Sequence, residues 1–309
     1  MAKQIDFRVA RIVEELTKGS LEARRRPSIR AIAESIGIGE RNAYKLLSKA
    51  RRLGFRFGFT VNLHKIGLSV VLGESRIDNS YLTRTYHTVD GRAIYASLVK
   101  LDSAREALDS GSHAYTARLL MGSAPALASI PFLRANPPPE LTPEELASMA
   151  KLLRERLAVE PPPKLWGRKY TVGDETAALM AALLAEDALT PVAKIARKLG
   201  MDEMKAQRRI RSLWGRGAIA GYSVQAAPYL PGRGVLVEAS HPDPVRLAYS
   251  SIILPPVVEA IVARKHGGAE VVVLRVEGGD KTIAQVLRLL SGVGGLVNII
   301  AHYYKVDTG

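Results

Sequence analysis

Lys198–Val224 reads KLGMDEMKAQRRIRSLWGRGAIAGYSV. Gly200 breaks one short helix and Met201 begins a turn. Ala206, Ile210 and Leu213 then recur at helical spacing, with Lys205, Arg208, Arg209 and Arg211 on the other faces. One apolar stripe in a basic remainder docks on a small core and presents cations to a polyanion. Gly217 ends the helix as a left-handed cap does. Ile219, Tyr222 and Val224 continue as a strand, so the stretch predicts the second half of a DNA-binding helix-turn-helix followed by a wing strand.

A second stretch lies on the first without a gap. Ser35–Val61, SIGIGERNAYKLLSKARRLGFRFGFTV, sets Gly37 against Gly200, Ala43 against Ala206, Gly54 against Gly217, Gly58 against Gly221 and Val61 against Val224. Upstream, Ile32-Ala33 matches Ile195-Ala196. The glycines fall where a turn, a helix stop and a strand are needed, so the correspondence is read as a domain-scale internal repeat.

At 309 residues the chain is long enough for at least two cores. A net charge of +14 points to nucleic acid or an anionic surface. The absence of cysteine excludes disulfides, zinc fingers and thiol nucleophiles. No apolar run reaches membrane-spanning length, and MAKQIDFRVARIVEEL carries acids where a signal peptide has an apolar segment. A cytoplasmic protein is expected.

Around the two stretches the chain falls into five expected parts. Residues 1–62 form a winged helix-turn-helix: helices over 6–18 (Asp6 as cap, Gly19 as stop), 29–36 and 40–53, then a strand pair over 55–61. Residues 63–122 form a ferredoxin-like β-α-β-β-α-β unit, with a helix over 79–86 and a hairpin at Asp90-Gly91. Residues 123–170 are a connector in which Pro137–Pro139 and Pro161–Pro163 bracket a helix over 143–158; Thr142 and Glu145 form its capping box. Residues 171–226 hold the second winged unit, with a helix from Thr171 or Asp174 to Ala185 and further helices over 192–199 and 203–214. Residues 227–309 hold the second ferredoxin-like unit. The fold class is α+β, a tandem of winged helix-turn-helix plus ferredoxin-like domain.

Ile195-Ala196, Gly200-Met201, Arg208-Arg209-Ile210, Leu213 and Gly217–Tyr222 together resemble the Lrp/AsnC (leucine-responsive, feast/famine) transcriptional regulators. The first copy departs from that pattern at Phe55-Arg56-Phe57. The resemblance implies a sequence-specific duplex-DNA-binding regulator and no enzyme. Family members dimerise through their sensor sheets, so two units in one chain imply an intramolecular pseudo-dimer, its recognition helices about one DNA turn apart. The alternative is assembly between chains as a homodimer. Tyr44 stands against Gln207 and Asn42 against Lys205, so an asymmetric operator is expected. The resemblance further implies a small-molecule effector, such as an amino acid, near the hairpin Gly267, Gly268 and Glu270.

The candidates for DNA contact are Arg41, Asn42, Lys45 and Lys49 in the first unit and Lys205, Gln207, Arg208 and Arg211 in the second. Side-chain amides pair bidentately with adenine, so Asn42 and Gln207 are the base readers and the cations hold phosphates. Arg24–Arg26 are a charged loop or further backbone contacts. Trp214, Tyr303 and Tyr304 are expected in cores or interfaces. The six histidines show no metal-ligand spacing, and Gly292–Gly295 follows a helix where a dinucleotide site needs a strand before it. No cofactor or metal is expected. Two alternatives are a nucleoid-type architectural binder and an Lrp-like haem-biosynthetic decarboxylase. The latter needs clustered His and Arg around an acidic tetrapyrrole; His87, Arg92 and His113 are scattered through the first sheet region.

Overall fold

A computed structural model describes residues 7–18, 28–52, 55–109, 113–122, 141–162, 165, 188–225, 233–293 and 296–308. The expected cap Asp6, stop Gly19, loop Arg24–Arg26, glycine Gly54, the Pro137–Pro139 triplet, Pro163, the helix over 171–185 and Gly294-Gly295 lie outside them. Helices α1 (Phe7–Lys18), α2 (Ile29–Ser35) and α3 (Glu40–Arg52) precede strand β1 (Arg56–Asn62). Then come β2 (Leu68–Gly73), β3 (Leu82–Thr88), β4 (Ala93–Lys100), α4 (Leu101–Asp109) and β5 (His113–Gly122). Helix α5 (Pro143–Ala158) is followed by α6 (Val192–Lys198), α7 (Glu203–Gly215) and β6 (Ile219–Gln225). The chain ends with β7 (Gly234–Ser240), α8 (Pro244–Ser251), β8 (Val257–Lys265), β9 (Glu270–Glu277), α9 (Asp280–Ser291) and β10 (Leu296–Thr308).

Eight strands close on themselves in the order β2-β4-β3-β10-β7-β9-β8-β5, with β5 pairing back onto β2. The result is an antiparallel barrel. Strand β1 leaves it beside β5 through Val61↔Leu120 and Asn62↔Leu119, and β6 pairs along β1. Period-two alternation sorts the side chains. In β9, Val271 and Val273 join the cluster inside the barrel, while Val272, Leu274 and Val276 join the cluster outside it. That outer cluster is covered by Leu247 of α8, Ile283, Val286 and Leu290 of α9, and Met149 and Leu153 of α5.

The expected tandem of winged helix-turn-helix plus ferredoxin-like domain is overturned by this pairing. Two separate four-stranded sheets would leave β3, β5, β8 and β10 as edges with unpaired backbone groups. Instead β3 pairs with β10 from Tyr303↔Thr88 to Thr308↔Arg84, and β5 pairs with β8 from Tyr115↔Lys265 to Gly122↔Glu259. One barrel built from both halves has no such edges. The wings are also corrected. The strand after α3 forms no wing hairpin with its own unit; Arg56–Val61 pairs with Ile219–Gln225, its counterpart from the second half. The helix expected over 79–86 is not formed: Leu82–Thr88 is strand β3, with Thr83, Tyr86 and Thr88 buried at alternating or near-alternating positions. Threonine and tyrosine favour a pleated surface, and cross-strand pairing with β4 outweighed the weak helical spacing.

The helix between the proline triplets forms as its cap predicts. Thr142 Oγ1 accepts from the Glu145 amide at 3.3 Å, and Glu145 Oε2 accepts from the Thr142 amide at 2.7 Å. Its start is tied to α9, where the Gln285 side chain accepts from the Leu141 amide and donates to the Leu141 carbonyl, both at 3.0 Å. Arg156 lies over the Tyr249 ring of α8 at 3.9 Å, so the helix is a cover for the second half as well as a connector.

Charge crosses the barrel interior. Arg84 Nη1 on β3 donates to Glu259 Oε2 on β8 at 2.7 Å, joining strands from opposite sides of the ring. The Glu259 carboxylate, then Tyr86, holds the Arg84 guanidinium well above its ordinary pKa. Nearby, Glu277 accepts from Arg275 and from the Tyr303 hydroxyl. Towards the other end Tyr115 donates to Glu238 at 2.5 Å, and Lys265 donates to the same carboxylate at 3.0 Å. Buried charges survive only when paired in this way.

Candidate nucleic-acid interface

Helices α3 and α7 are built alike. Ala43, Leu47 and Ala50 bury one face of α3; Ala206, Ile210 and Leu213 bury one face of α7. The turns before them place Gly37 and Gly200 at φ +72° and +61°, where a side chain would be strained. The caps differ. Asp202 accepts from the Lys205 amide at 2.7 Å at the start of α7, whereas α3 follows Gly39 and begins with Glu40 near the positive end of the helix dipole.

All eight residues expected to touch DNA are exposed: Arg41, Asn42, Lys45 and Lys49 on α3, and Lys205, Gln207, Arg208 and Arg211 on α7. Arg41, Lys45, Lys205, Arg208 and Arg211 form no ion pair with a described acidic residue. Arg52 and Arg216 extend the two basic surfaces at the helix ends.

The two helices are not separate. Glu40 and Tyr44 of α3 and Gln207, Ile210, Arg211, Trp214 and Gly215 of α7 line a single cleft of about 600 Å³. The Ala188 amide donates to the Phe57 carbonyl at 2.6 Å, and Trp214 meets Phe59 edge-on at 5.5 Å, so both units rest on the β1–β6 ribbon. Gln207 stands at the cleft, whereas Asn42 does not line it.

The expected effector residues divide. Gly267 and Gly268 form the β8–β9 turn with φ +95° and +103° and open space around them. Glu270 faces a different cavity of about 450 Å³, lined also by His64, Arg105, Asp109, Arg118 and Arg264. Arg118, nearly buried, donates from Nε to Glu270 at 2.8 Å. Arg105, Arg118 and Arg264 were not singled out in the sequence, and His64 entered only as one of six histidines without metal-ligand spacing. A lone arginine inside the apolar run Ala117–Met121 is the signal that marks one of them. The scattered trio behaves otherwise: His87 meets Asp307 at 2.9 Å, Arg92 pairs with Asp90 and Glu74 around the β3–β4 turn, and His113 stands at the start of β5. Trp214 lies partly buried as expected and Tyr303 is fully buried, while Tyr304 is exposed. Among the described residues no cluster of three or more His, Asp or Glu could hold a metal, and no helix is long and apolar enough to cross a membrane.

No family model matches the chain. Over 55 residues it is 36% identical to the HTH-type transcriptional regulator LrpA of Pyrococcus horikoshii, a stretch covering 18% of this chain and 39% of that protein. The chain thus spans about two-fifths of the length of the curated relative it matches, and the similarity to Lrp-type regulators is partial. Among solved structures it is similar to the siroheme decarboxylase NirDL, at a TM-score of 0.47 and 12% identity over 97% of this chain and 93% of that one. The same enzyme in complex with an iron-uroporphyrin III analogue gives 0.46 and 12%, over 96% and 90%. Both are structures of an enzyme, so the expectation that the chain is not an enzyme is corrected and no longer stands. At these TM-scores and identities the likeness assigns no activity to this chain.

Proposed function

We propose that the chain is an internally duplicated Lrp-like protein that binds double-stranded DNA through one platform made by α3 and α7. The observation that carries this reading is the exposure of all eight polar residues on two helices that share a cleft, with five of the cations making no ion pair to a described acid. Lysine and arginine so placed release counterions from phosphates and set affinity; Asn42 and Gln207 are the groups able to read adenine edges. Because the helices flank one cleft, the bound sequence is a short continuous site with unlike ends. Selection of bound fragments from random DNA, followed by footprinting, tests this. A single enriched asymmetric motif protected as one block is expected. Two protected blocks one turn apart, or no retention at moderate salt, would count against it, and retention with no enriched motif would point to an architectural binder.

A second reading rests on the cavity beside Glu270. Arg105, Arg264 and His64 line it with Asp109 and the Arg118–Glu270 pair, and its arginines suit the carboxylates of an acidic tetrapyrrole such as siroheme. A shift of the visible spectrum on adding siroheme, lost in Arg264→Ala, would favour decarboxylation chemistry at that cavity. An unchanged spectrum would remove it.

A further inference from the structure

The cleft between the helix units has a chemistry of its own. Ile29, Leu189, Val192 and Ile210 give it apolar walls. The Trp214 indole lines it beside them. Arg30, Glu40 and Arg211 line it as well; Arg30 is paired with Glu34 at 2.9 Å, and Arg211 forms no ion pair with a described acidic residue. The volume, about 600 Å³, is within the range of small-molecule sites.

We propose that this cleft binds a small planar aromatic anion, its ring against Ile210 and Trp214 and its acid accepting from Arg211. The apolar walls supply the burial; the Arg211 guanidinium, with no ion pair to a described acidic residue, selects a negatively charged ligand over a neutral one. Such a ligand touches α2 and α3 on one side and α6 and α7 on the other, so occupancy fixes the two basic helices relative to each other. Its effect on DNA affinity rests on the DNA-binding reading above; the site itself does not.

The chain holds two tryptophans, and Trp166→Phe leaves Trp214 as the sole indole. Titrating that full-length variant with anilinonaphthalene sulfonate, an aromatic anion, should give saturable binding at one site per chain with quenching of Trp214 emission. Gly215 lies on the cleft wall, and a Cβ added there meets nothing within 4 Å. Gly215→Leu therefore starts in open space and should weaken probe binding by about tenfold or more, the scale of a steric misfit in a packed site, with an unchanged circular dichroism melt. Probe binding without a Trp214 response, or binding equal in Gly215→Leu, would overturn the site. DNA retention is read in the same samples. If the wild-type chain retains no DNA while the probe still binds in the Gly215-sensitive manner, the DNA reading fails and the site stands. If DNA is retained and the probe does not bind, the site fails alone.

Discussion

The outer faces of the two barrel halves are clothed differently. Behind β7, β8 and β9 lie α8, α9 and α5, and their cluster includes Val235, Val272, Leu274, Leu247, Val286 and Leu153. Behind β2 and β4 lies α4, and its buried outer cluster is Val71, Val99 and Ala104. The second half is a sheet with a full outer core. The first half has a thin one, with residues 74–81 turning where the second half places α8. Its strands are held chiefly through the shared lumen, by Val70, Leu72, Ile94 and Leu98 inside and by the β3–β10 and β5–β8 seams. Closing one barrel lets a poorly covered sheet borrow the stability of a well-covered one.

Leu274→Ala, in the thick cover, should cost about 2–5 kcal/mol by denaturant unfolding. Val71→Ala, in the thin one, should cost less, roughly 1–2 kcal/mol for the two methyl groups lost; equal costs would erase the distinction between the halves. Glu259→Ala strands Arg84 inside the barrel and should cost about 1–3 kcal/mol, with both halves unfolding together in hydrogen exchange. Independent melting of the first half would break the single-barrel account.

The buried tyrosines supply a pH test. Burial first, then neighbouring carboxylates, raise the Tyr115 and Tyr303 phenols well above their ordinary value. A raised folded-state pKa gives stability that is complete below the unfolded pKa, about 10, and is lost as pH rises towards the folded value. The melting temperature should therefore fall above that pH, and less steeply in Tyr303→Phe. A smaller effect separates the two helix units: Asp202→Ala removes the cap of α7 and should cost about 1 kcal/mol, whereas Gly39→Ala, ahead of the side-chain-uncapped α3, should change stability by less.

Much of this was legible in the sequence, for reasons visible in particular residues. Ala43-Leu47-Ala50 and Ala206-Ile210-Leu213 have the helical period, and Thr142 with Glu145 specifies a cap, so those elements and the exposed cations follow from local spacing. Closure of the barrel did not. The seams Tyr303↔Thr88 and Thr116↔Arg264 join residues more than a hundred positions apart, and no local period encodes which edge meets which. Strand β3 was hidden because LTRTYHT carries polar residues on both faces: Arg84 points at a buried glutamate, and its partner Glu259 lies in another half. The cavity beside Glu270 was hidden for the same reason, its residues His64, Arg105, Arg118 and Arg264 coming from separate segments.

The most direct measurement is the salt dependence of DNA retention for the wild-type chain beside Lys45→Ala and Lys205→Ala, one cation from each helix. If both helices face one duplex, retention falls steeply with salt, and each substitution lowers the slope of log affinity against log salt by about 1. A slope unchanged by either substitution, or changed by only one of them, would contradict the shared platform.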